Sequence, residues 1–355
     1  MRHSMRIGIF LPNWVGDVVM ATPAIRALRK LAGTDGELVG IMRSYVSEVL
    51  AGTPWLDRQI LYDKGKQRFG MPGREFFREL RDARLDKVVL LTNSMRTAIM
   101  AWRSGAQDRI GYRGQGRAIL LTNRVRPGIA VDGGAAPALD AYLQLAEAAG
   151  CGPESPQLEL TTTAEDERAA DGVWQRLGLP SGERVVVLNS GGAFGAAKQW
   201  PAEYFSELAK RIVLGEQYSV LVNCGPAERE IAREIAARAD HPHVVSLADT
   251  AQLPVGLTKA CIRRSRLLVT TDSGPRYFGV AFDRPVVTLF GPTDPARTRL
   301  PYEREVCLSL GLDCQPCMAR TCPLGHHRCM RDLSVGMVHS AAMQLLQNDA
   351  NDWAA

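Results

Sequence analysis

No apolar run in this chain approaches the roughly 20 residues that cross a bilayer as a helix. A cleavable leader is not expected either. Met1 to Pro12 carries basic side chains and a short apolar stretch, but no small-residue cleavage site follows, and Asn13, Gly16 and Asp17 interrupt it. A first buried strand is the expectation there. The charge excess is small, +5 with a pI near 8.8. Nucleic-acid proteins usually exceed a pI of about 9 with clustered charge, so no nucleic-acid partner is expected. No repeat shorter than a domain is visible. Two phosphate-binding signatures are missing as well. The glycine-rich segment Asn189 to Pro201 does not frame its lysine as Gly-Lys-Ser/Thr, and its glycine spacing is wrong for a dinucleotide fingerprint.

What is present fits a globular, cytoplasmic protein. Hydrophobic residues make up 46% and charged residues 23% of 355. That length suits one large domain or two ordinary ones, and two of roughly 170 residues would each bury a core. The mild positive excess suits an anionic substrate or a weak hold on an anionic membrane surface. Cys151, Cys224, Cys261 and Cys307 are scattered, as expected of reduced, buried thiols.

Apolar strands alternate with amphipathic helices in both halves, the pattern of parallel sheets covered on both faces. Strands are expected at Ile7–Leu11, Leu38–Met42, Gln59–Tyr62, Lys87–Leu91 and Arg109–Gly111. Helices are expected at Ala21–Leu31, Ser44–Ala51, Arg74–Ala83, Ser94–Ser104 and Pro137–Ala149. In the second half the strands are Val185–Leu188, Ser219–Asn223, His243–Ser246, Leu267–Thr271 and Val286–Phe290. The helices there are Ala202–Leu214, Ala227–Ala239, Gln252–Ile262, a short turn after Gly274, and Ser334–Gln347. Leu158 to Pro180 reads as a connector plus a helix, so domains of residues 1–164 and 165–355 are expected. Two doubly wound α/β domains facing a central cleft would bind ligands at the carboxyl ends of their strands.

The loop Asn189-Ser190-Gly191-Gly192-Ala193-Phe194-Gly195-Ala196-Ala197-Lys198 follows a strand and precedes a helix. Glycines let backbone approach a ligand, a helix N-terminus attracts anions, and Lys198 adds a positive charge. The arrangement suits a diphosphate. Asp17, in Asn13-Trp14-Val15-Gly16-Asp17, reads as an N-cap or as a general base facing the cleft. Thr271-Asp272-Ser273-Gly274 follows another strand. Ser273 and Gly274 could grip a phosphate, and Asp272 could accept from sugar hydroxyls or merely cap a helix. Glu228, with Glu230 second, is a candidate for ribose hydroxyls, the alternative being an exposed helix acid.

Basic side chains crowd two segments of the first half. One holds Arg96, Arg103, Arg109, Arg113, Arg117, Arg124 and Arg126. The other holds Lys64, Lys66, Arg68, Arg74 and Arg78 beside Phe69, Phe76 and Phe77. They read as a solvated face or as recognition of a phosphorylated or carboxylated acceptor, for which guanidinium forks are well shaped. Asn13, Trp14, Lys64 and Arg96 are the acceptor-side candidates. Late in the chain comes Cys314-x2-Cys317-x4-Cys322-x6-Cys329, with His326 and His327 inside it. These thiols could hold a structural zinc or iron–sulfur centre, pack as a reduced loop, or form a redox disulfide.

Three segments together resemble family 9 glycosyltransferases. They are Trp14-Val15-Gly16-Asp17-Val18-Val19-Met20-Ala21-Thr22-Pro23, Ala197-Lys198-Gln199-Trp200-Pro201, and Thr271-Asp272-Ser273-Gly274. Within that family the chain is most similar to the ADP-heptose:lipopolysaccharide heptosyltransferases of type II, which also carry a segment like Cys322-Pro323-Leu324-Gly325-His326-His327-Arg328-Cys329-Met330. The resemblance runs from about residue 5 to 348. It implies a GT-B fold, with the acceptor on the N-terminal domain and the nucleotide sugar on the C-terminal one. It implies Asp17 as base, Lys198 on the diphosphate, and the Asp272 segment on the donor sugar and phosphates. It further implies inverting, metal-independent transfer onto an inner-core lipopolysaccharide acceptor, peripheral to the cytoplasmic face of the inner membrane. A nucleotide-sugar-binding protein without catalysis, or a transferase using another nucleotide sugar, is the alternative. Many relatives carry histidine shortly after the Asp-Ser-Gly, where this chain has Arg276-Tyr277.

Overall fold

The structure is a computed structural model and describes residues 4–63, 70–128, 136–192, 194–216 and 218–352. The chain divides into two compact units. The first is Met1–Thr161 with Arg297–Pro301, and the second is Thr162–Ala296 with Tyr302–Ala355.

In the first unit the order is β1 (Arg6–Phe10), α1 (Val15–Met20), α2 (Thr22–Ala32), β2 (Glu37–Met42), α3 (Ser44–Ser47) and β3 (Arg58–Leu61). Then follow α4 (Arg74–Asp82), β4 (Lys87–Leu90), α5 (Met95–Arg103), β5 (Asp108–Tyr112), β6 (Asn123–Val125) and α6 (Ala138–Ala148). The six strands pair in parallel in the order β3-β2-β1-β4-β5-β6. Ile7, Ile9, Phe10, Val88, Val89 and Leu90 on the central strands β1 and β4 are fully buried. Each such side chain contributes about 1.5–3 kcal/mol by leaving water. On one face Phe76, Phe77 and Leu80 of α4 pack on Val39, Ile41 and Ile60 of the sheet.

The second unit runs α7 (Ala164–Leu177), β7 (Val185–Asn189), α8 (Ala202–Glu216), β8 (Ser219–Asn223), α9 (Arg229–Ala239), β9 (Val244–Ser246) and α10 (Val255–Arg264). It ends with β10 (Leu267–Thr271), α11 (Gly274–Ala281), β11 (Val286–Leu289), β12 (Glu305–Leu308), α12 (Arg328–Arg331) and α13 (Val335–Asp352). Its sheet is parallel in the order β12-β11-β10-β7-β8-β9. Counted within the unit, that repeats the order of the first. In both sheets the winding reverses beside the first strand, between β1 and β4 and between β7 and β10. Such a reversal opens a crevice at the carboxyl ends of the strands, where ligands of doubly wound sheets bind.

Several details differ from the sequence expectation. The helix expected at Ala21–Leu31 is α2, and the short helix α1 before it is additional. Pro23 cannot donate into a continuing α1, and the Thr22 hydroxyl turns back to the Val19 carbonyl at 2.8 Å instead. Only the first half of Ser44–Ala51 is α-helical, the rest being a 3-10 turn. Gly274 opens an eight-residue helix, not a short turn. The edge strands β6 and β12 are additional, and they escape a hydrophobicity reading because each is only partly buried. Cys224 and Cys261 are buried, and burial pushes their thiols up to about 11 and about 12. Cys151 is half-buried, and Cys307 on the edge strand β12 is exposed, so the expectation of burial fails for Cys307.

Candidate functional site

Past the end of β1 the chain turns at Asn13 and enters α1. Trp14, not Asp17, caps that helix, and no side-chain cap bond is made. Asp17 lies instead in the first turn of α1. It is half-buried, and its Oδ1 accepts a hydrogen bond from the Tyr142 hydroxyl of α6 at 2.9 Å. Trp14 is 49% exposed beside it. Asn13 accepts at its carbonyl from the Tyr45 hydroxyl, while its side-chain Oδ1 is buried without a partner. The same is true of Arg96 Nε at the start of α5. Two residues that sequence reasoning did not single out share this condition. They are Arg43 (Nε), directly after β2, and Tyr62 (hydroxyl), directly after β3. Burial raises the Tyr62 hydroxyl pKa, opposed by the charges of Arg96 and Arg43. An unpaired buried polar group costs about 1–3 kcal/mol. Four of them along one carboxyl edge form a region prepared for a polar ligand. Asn13 and Arg43 lie just past expected strands and Tyr62 ends one, which was the available signal. Lys64, with Lys66, Arg68 and Phe69, lies outside the described residues.

Much of the remaining arginine crowd is structural. Arg109 donates to the carbonyls of Leu120 and Ala106, and Arg103 stacks over the Phe77 ring at 4.0 Å.

In the second unit the glycine loop leaves β7 at Asn189, whose amide is held by Gly191 O, Thr270 and Ser273. Ser190 is buried, and its Oγ has no partner. A Cβ at Gly191 would stand 2.8 Å from Glu228 Cδ, and one at Gly192 would stand 3.2 Å from Ser273 Cβ. The loop is thus wedged between the start of α11 and the turn before α9. Lys198 ends the short turn Ala196–Lys198. Its Nζ donates to Asp272 O at 2.6 Å and to Asp272 Oδ2 at 2.8 Å. Two of its three ammonium protons are so occupied; the third has no oxygen partner among the described residues, and Nζ stands 4.6 Å from the centre of the Phe194 ring. Asp272 Oδ2 also accepts from the Thr293 hydroxyl at 2.7 Å, and Arg276 stands 3.5 Å from Oδ1. Arg276 itself is fully buried and forks onto Glu305 at 2.6 and 3.0 Å. Burial opposes its charge, but Glu305 holds its pKa above the ordinary arginine value.

Ser190, Gly191, Gly192, Lys198, Glu228, Asp272, Ser273 and Gly274 therefore gather at the winding reversal of the second sheet. Within the group the Asp272 carboxylate is committed at Oδ2 to protein donors, so it fixes Lys198. Glu228 Oε2 caps the Gly225 N–H at 2.9 Å. Glu230 is exposed and paired with Arg233.

The cysteine loop bears on this cluster. Cys314, Cys317, Cys322, Cys329, His326 and His327 line a cavity of about 20 Å³ that Ala197 also borders. His327 N–H donates to Cys322 Sγ at 3.4 Å, and its ring Nε2 donates to Ala197 O at 2.8 Å. The Ala197 N–H in turn donates to Arg320 O at 3.0 Å. Gly195, at φ +147, sits so close that a Cβ would fall 2.6 Å from Arg320 O. The loop thus braces the turn that carries Lys198. Backbone N–H groups, led by that of His327, lower the Cys322 thiol pKa. Burial, then the neighbouring Cys317, Cys322 and Cys314, raise that of Cys329. All four thiols are free. As the side chains stand, no group of three or more His, Cys, Asp or Glu among the described residues is set to hold a metal.

Residues 74–328 match the family model described as glycosyltransferase family 9 (heptosyltransferase). The chain belongs to glycosyltransferase family 9. Over 175 residues it is 34% identical to lipooligosaccharide heptosyltransferase 2 of Campylobacter jejuni, covering 48% of this chain and 53% of that protein, so it matches about half of that relative's length. Over 313 residues it is 29% identical to lipopolysaccharide heptosyltransferase 2 of Escherichia coli K12, covering 82% and 84%. Its fold is similar to that of E. coli ADP-heptose lps heptosyltransferase II, with a TM-score of 0.78 and 23% identity over 98% of this chain and 100% of that one. It is also similar to E. coli heptosyltransferase WaaC with ADP-2-deoxy-2-fluoro heptose, with a TM-score of 0.67 and 17% identity over 97% and 100%. The family 9 chain shares the two-unit GT-B architecture of those structures.

The remaining proton of Lys198 makes inorganic pyrophosphate a direct probe. In calorimetric titration Lys198→Ala should weaken its binding by about 10- to 100-fold, the loss of one bond to a charged group. A thermal transition confirms that the variant is folded, and unchanged affinity would remove Lys198 from the anion site.

Proposed function

We propose that this protein transfers a heptosyl group from ADP-heptose to the inner core of lipopolysaccharide, with inversion at the anomeric carbon. The observation that carries the reading is the state of two groups at the two winding reversals. Asp17 is a carboxylate in the first turn of α1, oriented by Tyr142. Lys198 is an ammonium pinned by Asp272 with one proton to give. The relatives named heptosyltransferase 2 and the ADP-sugar analogue in WaaC support the donor and acceptor classes.

In this reaction Asp17 takes the proton of the acceptor hydroxyl as its oxygen attacks the anomeric carbon. The bond from that carbon to the β-phosphate oxygen breaks, and ADP departs. Lys198 and the amides of Gly192, Ser273 and Gly274 receive the charge that grows on the diphosphate. One such preorganised donor is commonly worth about 3–4 kcal/mol of barrier. No step requires a metal. Ser190, with its unpaired hydroxyl, and Glu228 flank the donor. The acceptor lies along Asn13, Trp14 and Arg96, joined by Arg43 and Tyr62. The protein works at the cytoplasmic face of the inner membrane, as a peripheral contact of a mildly basic chain. No helix among the described residues is long and apolar enough to cross a membrane.

A mass-spectrometric donor screen tests the reading. Lipid-A-linked core acceptors should gain one heptose from ADP-heptose and far less from other nucleotide sugars. Transfer of another sugar alone would move the chain to a different donor class, and ADP-heptose binding without transfer would make it a sugar sensor.

We also propose that Cys314, Cys317, Cys322 and Cys329 hold a structural zinc or iron–sulfur centre. Four thiols on one small cavity, with Cys322 set among backbone N–H donors, are a donor set of the right softness. The thiol side chains would have to turn inward to bind it. Its part would be to stiffen the loop whose His327 braces the Lys198 turn. Elemental analysis of anaerobically purified protein should find zinc or iron, with the content falling sharply in Cys317→Ser. Metal-free protein with four titratable loop thiols would overturn the assignment.

A further inference from the structure

Among the described residues the fully buried charges are paired with opposite charge, with one exception. Buried Lys259 stands 3.7 Å from Asp166, Asp272 holds Lys198, and Arg276 forks onto Glu305. Arg117 is equally buried, at 1% exposure, yet it meets only neutral oxygens among the described residues. Its Nε donates to Tyr112 O at 2.7 Å, one terminal nitrogen to Thr92 O at 2.5 Å, and the other to Asn93 Oδ1 at 2.7 Å. Burial lowers the pKa of this guanidinium, and no carboxylate among the described residues offsets it. Three of its five N–H groups are used, leaving one on each terminal nitrogen.

Arg117 lines a cavity of about 270 Å³ within the first unit, together with Asn93, Tyr112, Arg113, Gly114 and Gly128. None of the described residues lining it is acidic. Arg113 is exposed there and has no ion pair among the described residues. Its backbone is anchored to Val125 O at 2.9 Å, and it leads into a turn in which Gly114, Gln115 and Gly116 all have positive φ. Asn93, Tyr112 and Arg113 lie at or just past the carboxyl ends of β4 and β5. The Tyr112 hydroxyl donates to Ala141 O at 2.7 Å, and the next residue, Tyr142, holds Asp17. A cavity lined by two guanidinium groups that no described carboxylate neutralises, one residue removed from the tether of Asp17, is shaped for an anion. Its volume falls just below the roughly 300–1,000 Å³ of ordinary ligand pockets, which suits one charged sugar.

We propose that Arg113 and Arg117 form a subsite for a carboxylate or phosphate carried by the acceptor, a reading that rests on the transferase function above. The planar forks grip two oxygens of such a group and so set which sugar of the acceptor meets Asp17.

Acceptor affinity is measured by calorimetry, which needs no turnover, and transfer separately by mass spectrometry. With a lipid-A-linked core acceptor, Arg113→Ala should weaken binding by about 10- to 100-fold, the loss of a charge-assisted contact, and leave pyrophosphate affinity unchanged. Arg117→Lys keeps the charge but loses the fork, and it should also weaken the acceptor. Arg113→Ala carries the test if that variant fails to fold. Dephosphorylated and carboxyl-reduced acceptors identify the anion, because the deficit of Arg113→Ala should vanish with the one that lacks it. Equal acceptor affinity in wild type and Arg113→Ala, or a deficit that persists with both neutral acceptors, would overturn the subsite. Normal acceptor binding without any heptosyl transfer would overturn the function and leave the subsite standing.

Discussion

Parallel strands wound in opposite senses from a central pair leave their carboxyl ends uncovered at the point of reversal, and that constraint governs this molecule twice. In the first unit Asn13 and Asp17 follow β1, Arg43 follows β2, Tyr62 follows β3, and Arg96 follows β4. In the second unit Ser190 and Lys198 follow β7, Glu228 follows β8, and Asp272 follows β10. Backbone pairing within the strands leaves loops of this kind to carry unsatisfied polar groups. The cost of holding Asn13 Oδ1, Tyr62 OH or Ser190 Oγ without a partner is offset by the apolar burial of the strands beneath them.

The two edges solve different electrostatic problems. In the second unit charge is balanced internally. Asp272 neutralises Lys198, Thr293 shares the carboxylate, and the Arg276–Glu305 fork backs it in a buried position. An ammonium held in this way keeps its place without a ligand, and one proton remains for an incoming diphosphate. In the first unit positive charge is left unbalanced at Arg117 and Arg113, and polar atoms are left unpaired at Arg43, Tyr62 and Arg96. The edge proposed for the donor is thus pre-organised around a salt bridge. In the proposed reaction the first unit is the acceptor side, and it keeps charge that an anionic partner would complete.

Much of this was legible in the sequence, and the reasons are local. β1, β7 and β10 are continuous apolar runs ending in Asn, Gly or Asp, so the position of Asp17, Lys198 and Asp272 just past strands could be read directly. The short helix α1 was missed because it is only six residues long and was read as part of the link from β1 to the helix that starts beside Pro23. The edge strands β6 and β12 were hidden because an edge strand need bury only part of its surface. The pairing of Lys198 with Asp272 spans 74 residues, and no periodicity encodes such a contact. The same holds for Tyr142 reaching Asp17 over 125 residues and His327 reaching Ala197 over 130. The arginine crowd was visible as composition. Its division into structural Arg109 and Arg103, and the uncompensated Arg113 and Arg117, depends on which carbonyls and carboxylates the fold brings near.

The central claim is that Asp17 removes the acceptor proton while the second unit holds the donor. The most direct measurement pairs single-turnover transfer from ADP-heptose with calorimetric donor affinity in Asp17→Asn, which preserves size and hydrogen bonding to Tyr142. A positioned base contributes about 10²- to 10⁴-fold, so transfer should slow by that factor while donor affinity stays within about twofold. Transfer at a near-normal rate would contradict the account.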